Sequence, residues 1–275
     1  MEEPALIELG TRLTPEALRV YADRLLEQGD AHGEFIALQC ARAREARPSA
    51  REEQLRVEVL EPRLRDAVGP SLRIKRWEMG LVSEVELQVD RPPDLALASL
   101  ARRAEGVGLR RLQVETTGWD AATDLSPLWG ALAKGPRFPR LLELGVQVAD
   151  SANPSIRIGE VEPLYRAYPG LRVLELHGVD HHLGRIELPE LRRFSASLLR
   201  PETIPSLAQA RWPRLEALEL EFGPAPAESE PVFADLLATS MSPALRRVRV
   251  KSPWPEFFRA ALPRSPLGAG RLVEV

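Results

Sequence analysis

The densest group of chemically capable side chains is His177-Gly-Val-Asp180-His181-His182, which holds three of the chain's four histidines beside a carboxylate. Imidazole and carboxylate groups suit zinc or a related metal. Their spacing matches no standard ligand set, and Asp180, His181 and His182 read as a loop. The expectation is a loop of solvated histidines. His177, Asp180, His181 and His182 stand as a secondary metal set, and no catalytic residue is assigned. The single cysteine, Cys40, excludes an internal disulfide framework and a cysteine-based metal site. At the end of a helical apolar run it reads as a buried small hydrophobe.

Enzyme signatures are absent elsewhere. The chain contains no G-x-S-x-G, no P-loop, no G-x-G-x-x-G and no H-E-x-x-H. Close carboxylates such as Glu52/Glu53 and Glu219/Glu221 read as solvated charges. Arg42, Arg44 and Arg47 punctuate ARAREARP, with Arg51 nearby. On a helix Arg44 and Arg47 are neighbours, but Arg42 and Arg44 do not share a face. Glu45, Glu52 and Glu53 offset this basic edge. With a net charge of -3, nucleic acid is not an expected partner. The chain is expected to be no enzyme and to need no cofactor.

A broader surface comes from a recurring pattern, L-x-x-L-x-L. Its first apolar positions are Leu109, Leu141, Leu171, Leu191, Leu215 and Leu245, in LRRLQV, LLELGV, LRVLEL, LRRFSA, LEALEL and LRRVRV. A related strand carries Val82, Val85 and Leu87, and LVEV at the end reads as a degenerate last unit. Starting from Val82, successive starts differ by 27, 32, 30, 20, 24 and 30 residues. Pro139, Pro169, Pro189, Pro213 and Pro243 each stand two residues before the first Leu. Proline fixes φ and cannot donate to a ladder, so it suits the last turn before a strand.

Side chains alternate along a strand, so the residues between the leucines face outward. They are Glu84, Glu86 and Gln88; Arg111, Gln113 and Glu115; Glu143 and Gln147; Glu175 and His177; Arg193, Ser195 and Ser197; Glu219 and Glu221; and Arg247, Arg249 and Lys251. The face is acidic in its early and middle portions and basic at its end.

The elements that carry this face begin after a helical stretch. Thr14 and Pro15 form a helix start. Leu18, Tyr21, Ala22, Leu25 and Leu26 make a helical stripe that Gly29 and Asp30 end. A second helix runs from about Gly33 to near Ala46. A third spans roughly Ala50 to Val68, with Leu55, Val59, Leu60 and Leu64 inward. Residues 71–89 read as a transition that leads into the first strand.

The run LRVYADRLLEQGDAHGEFIALQ, Leu18 to Gln39, resembles the bacterial repeat-companion domain. Tyr21, Ala22, Asp23, Leu25, Glu27, Gly29, Asp30, Gly33, Glu34, Phe35, Ile36, Leu38 and Gln39 stand in its pattern, while Arg24 replaces a common Trp. Residues 82–275 resemble leucine-rich repeats, whose period is roughly 20–29 residues. The Asn or Cys expected three residues after each motif is missing: Thr117, Ala149, Val179, Leu199, Gly223 and Pro253 stand there. The resemblance implies an α/β leucine-rich-repeat solenoid, with parallel strands on a concave face and helices outside. It divides the chain into a helical capping domain, 1–70, and degenerate repeats, 71–275.

At 275 residues with 44% apolar and only 5% aromatic content, an aliphatic core fits this plan. The start, MEEPALIELG, lacks the pattern of a signal peptide, and no apolar run is long enough to span a membrane. The expected protein is a cytoplasmic monomer that binds a protein partner on its concave face. An immunity-type inhibitor of one toxin or enzyme is the alternative, and a metal-dependent enzyme using the histidine loop ranks last.

Overall fold

A computed structural model describes residues 13–42, 47–89, 94–116, 124–148, 156–224, 230–239 and 242–275. Two compact units are distinguished: Met1–Gln113 with Gly135–Leu141, and Val114–Lys134 with Leu142–Val275.

In the first unit, helix α1 (Pro15–Glu27) starts at Thr14, whose side chain accepts from Ala17 N at 3.2 Å. Leu18, Ala22 and Leu25 are buried. Leu26 is 45% exposed instead of inward, because the stripe is wider than its neighbour covers. That neighbour, α2 (Ala31–Ala41), begins earlier than expected. Asp30 caps it by accepting from His32 N at 3.0 Å, which satisfies a free helix-end amide. Cys40 is half-buried, and burial pushes its thiol pKa up.

The expected third helix is two helices, α3 (Ala50–Gln54) and α4 (Glu61–Val68), joined by a π turn at Leu55–Leu60. The wide turn lies directly before Pro62, whose ring cannot tolerate a normal preceding turn. It shifts the helical phase. Leu55, Leu60 and Leu64 stay buried, while Val59 turns out to be 37% exposed.

The stretch expected to be a transition contains a further strand. β1 (Leu72–Glu78) pairs antiparallel with β2 (Leu81–Val89) across a turn at Met79 and Gly80. Both turn residues have positive φ, 52° and 78°, as a tight hairpin requires. The helices pack on this hairpin. Leu18, Ala22, Leu25, Ile36 and Leu81 form one cluster, and Phe35 meets Trp77 edge-on at 5.3 Å. Helix α5 (Asp94–Ala101) and a short 3₁₀ segment follow, then β3 (Arg111–Thr116), next to β2 in strand order.

The second unit alternates strands and helices: α6 (Ser126–Lys134), β4 (Glu143–Val148), β5 (Arg157–Glu160), α7 (Glu162–Ala167), β6 (Val173–His177), β7 (Val179–His182), β8 (Arg193–Leu199), α8 (Ile204–Ala208), β9 (Ala217–Phe222), α9 (Glu230–Ala238), β10 (Arg247–Lys251), α10 (Pro255–Ala261) and β11 (Leu272–Glu274). Its main sheet has the order β4-β6-β8-β9-β10-β11, parallel throughout. β5 and β7 form a separate parallel pair. Helix α6 packs on α7, and α8 on α9.

The repeated prolines occupy one turn. Leu141, Leu171, Leu191, Leu215 and Leu245 each donate N–H to the carbonyl three residues back, at 3.0–3.3 Å. Proline therefore stands at the second position of a β-turn, where its fixed φ belongs. The residue before it is an anchor: Phe138, Tyr168, Leu188, Trp212 and Ser242 are all at most 5% exposed. Leu109 makes the same turn without proline. Because the turn consumes the first Leu, the strands start about two residues later than the motif suggests. No helix among the described residues is long and apolar enough to cross a membrane.

Candidate functional site

Strands β6, β9 and β10 bury alternate residues, while β8 buries Phe194, Ser195 and Ala196 in a row. Leu174 and Leu176, Phe194 and Ala196, Leu218 and Leu220, and Val248 and Val250 are at most 2% exposed. Between them, Glu143, Glu175, His177, Glu219 and Glu221 are half-buried, and Gln147, Arg193, Arg247, Arg249 and Lys251 are exposed. The parallel register aligns these residues in rows. One row runs Glu175, Ser195, Glu219, Arg249, Glu274; the row before it runs Val173, Arg193, Ala217, Arg247. Ser195 is only 9% exposed, being a short side chain between two glutamates in register. A bulge between Ala196 and Leu199, with Leu198 at φ 55°, shifts the end of β8.

The basic end of this face is partly neutralised. Arg249 Nε lies 2.7 Å from Glu274, and Lys251 Nζ 3.5 Å from Glu221. In the first unit, Glu84 meets Arg76 at 3.4 Å, and Glu86 meets Lys75 at 2.6 Å and Arg73 at 3.6 Å. These cations stand on β1, the strand the sequence pattern concealed. On β3, Arg111 is exposed and Gln113 and Glu115 are half-buried. The basic edge near Arg42 is also engaged: Arg42 meets Glu52 at 3.2 Å and Arg51 meets Glu34 at 2.7 Å. Arg44 lies outside the described residues.

The histidine segment is not a loop. Val179–His182 is strand β7, held by pairing with β5. Strand alternation separates the groups that a metal would need to gather. His181 is 7% exposed, with Nε2 3.2 Å from the Leu176 carbonyl and Nδ1 without a partner. Burial lowers its pKa to about 4, so it is neutral and Nε2–H donates to that carbonyl. His182 is exposed, and His177 belongs to the outward row of β6. Asp180, at φ 52°, bridges Arg157 and Arg200, each at 3.1 Å. Among the described residues no group of three or more His, Cys, Asp or Glu is placed to hold a metal ion.

Around this pair of arginines lies an open cleft of about 810 Å³, lined by Asp124, Arg157, Glu160, Asp180, Arg200 and Glu202 among others. Much of its polarity is structural. Asp124 Oδ1 accepts from Ser126 N at 2.8 Å and Ser126 Oγ at 2.7 Å, and Ser126 Oγ accepts from Glu160 N at 2.9 Å. The Ser126 amide bond holds the Asp124 carboxyl below the usual carboxylate range. Gly159, at φ 68°, makes room for this contact, since a Cβ there would lie 2.1 Å from Ser126 Oγ. Arg157, Arg200 and Asp124 carry no local sequence signal; only the fold brings them to Asp180.

The structure thus defines an α/β protein with an array of parallel strands that present polar residues outward. Its fold is similar to that of a structural-genomics protein from Bacteroides fragilis, with a TM-score of 0.54 and 17% identity over 62% of this chain and 52% of that chain. The chain spans about half the length of that neighbour. An internalin from Listeria monocytogenes aligns with 13% identity over 69% of this chain and 66% of that chain. Its TM-score is 0.26. No family model and no curated protein matches the sequence.

Proposed function

We propose that the strand–turn–helix units are leucine-rich repeats and that the outward face of their strands binds a partner protein without catalysing a reaction. The observation that carries this reading is the alternation across β6, β8, β9 and β10. Inward positions are fully buried apolar residues, while outward ones, apart from Val173 and Ala217, are charged or polar in aligned rows. Such a surface is preformed, because every strand is fixed by two neighbours and a repeated turn, and repeat proteins use extended strand faces in this way.

The test begins with affinity capture of the partner from the native host. Binding of the purified partner is then measured for a Glu175→Arg/Glu219→Arg variant and for an Arg166→Glu variant on helix α7. The face variant is expected to weaken binding by about tenfold or more, as central charge reversals do, with the helix variant unchanged. Equal binding by wild type and the face variant would remove the outward face as the site.

A further inference from the structure

Beyond naming the face, which rests on the proposal just made, the pattern of ion pairing singles out part of it. Most arginines elsewhere in the second unit are matched: Arg157 and Arg200 to Asp180, Arg185 to Glu187, Arg214 to Glu190 and Arg249 to Glu274, while Arg271 donates to the Leu245, Pro266 and Leu267 carbonyls. Four arginines at the N-terminal ends of the strands are not. Among the described residues, no carboxylate lies in ion-pair distance of Arg172, Arg193, Arg246 or Arg247, and all four are exposed.

Their alignment is enforced by the backbone. Arg172 N donates to Leu142 O at 2.7 Å, Arg192 N to Arg172 O at 2.8 Å, Glu216 N to Arg192 O at 2.8 Å and Arg246 N to Glu216 O at 2.9 Å. This continuous ladder sets Arg172, Arg192, Glu216 and Arg246 in one column, with Arg193 and Arg247 in the next. Glu216 pairs with Arg192 at 3.2 Å, while the other four guanidiniums meet no carboxylate among the described residues. Neighbouring positions within a column repeat at about 4.8 Å, the interstrand spacing. Each fork is suited to take a carboxylate through two N–H donors.

We propose that this arginine rim is the docking edge for an acidic surface segment of the partner protein. In the next outward row, two residues further along the strands, stand Glu175 of β6 and Glu219 of β9. A phosphodiester backbone laid on the rim would run against those carboxylates. A protein can place acids over the arginines and neutral or basic groups over the glutamates.

The test uses a fluorescein-labelled oligoglutamate peptide, with single- and double-stranded DNA of equal charge as competitors. Anisotropy titrations compare wild type, Arg193→Glu/Arg247→Glu, Arg193→Gln/Arg247→Gln and the off-rim control Arg166→Glu/Arg259→Glu. Circular dichroism confirms that each variant is folded. The expected result is saturable peptide binding that weakens with salt, falls about tenfold or more in both rim variants and stays within about twofold in the control. Peptide binding that is absent, or equal in wild type and rim variants, overturns the proposal, as does tighter binding of DNA than of peptide. A captured partner that needs Glu175 and Glu219 but tolerates the rim variants defeats the rim while leaving the face intact. Rim-dependent peptide binding with a partner indifferent to the Glu175 and Glu219 changes defeats the face alone.

Discussion

In the first unit, the helices are fastened to their hairpin by contacts that occur once. Both polar groups of Gly80 are taken by α2: its N–H donates to Gln39 Oε1 and its carbonyl accepts from His32 Nε2, each at 2.7 Å. Gln39 Nε2 in turn donates to the buried Glu52 at 3.0 Å. In the second unit, one device recurs. A β-turn seats an anchor residue, the next amide joins a ladder, and the following strand repeats it. The first design depends on individual side chains, because buried polar groups left without partners are costly. The second spreads the same task over backbone groups that any sequence supplies, so it tolerates exchange of the anchor among Tyr, Leu, Trp and Ser. This contrast teaches where each unit is vulnerable.

The largest expected effect tests whether the recurring anchor is a packing element. Trp212 is fully buried and lies 5.2 Å from the Phe194 ring. Trp212→Ala should cost about 3–5 kcal/mol, in the range of large-to-small core changes. Urea unfolding gives the magnitude, and faster amide exchange in β8 and β9 gives the location. A cost below about 1 kcal/mol would mean that the turn, not the ring, holds the repeat.

The once-only contacts are probed by Gly80→Ala. A Cβ there would lie 2.3 Å from Ile36 Cγ1, on a backbone at φ 78°. Strain and overpacking together predict a loss of about 2–4 kcal/mol, seen as exposed amides in β1 and β2. Retained protection of both strands would show that the hairpin holds without its helix contact.

A smaller, pH-dependent effect belongs to His181. Its folded pKa of about 4 lies below the ordinary 6.5. The unfolded chain therefore binds the proton first as the solution is acidified. Stability from this residue is complete above about pH 6.5 and falls as pH drops toward 4, by up to about 3 kcal/mol. His181→Gln should flatten the unfolding free energy across that window. An unchanged slope in the variant would assign the acid sensitivity to other groups.

Much of this organisation was legible in the residues. Thr14 and Pro15 mark α1, the leucines mark the strands, and the prolines mark the turn. Period-two alternation places Glu175, Glu219, Arg193 and Arg247 on the outward face. Arg172, Arg192 and Arg246 escaped notice because they precede the strands and belong to no alternation. β1 was hidden because Ile74 and Trp77 sit among Arg73, Lys75 and Arg76, a weak pattern that only pairing with β2 resolves. Leu26 and Val59 carry the right residue type for burial, but a wide stripe and a π turn decide otherwise.

By itself, then, the sequence determined which strand residues point into the core and which face outward, because that depends on local period and turn chemistry. Only the tertiary structure decided which charges are already matched. Arg249 finds Glu274, Arg157 and Arg200 share Asp180, and Arg172, Arg193, Arg246 and Arg247 meet no carboxylate among the described residues. The physical reason is that an ion pair needs proximity, and proximity between residues far apart in the chain is set by strand register, not by composition.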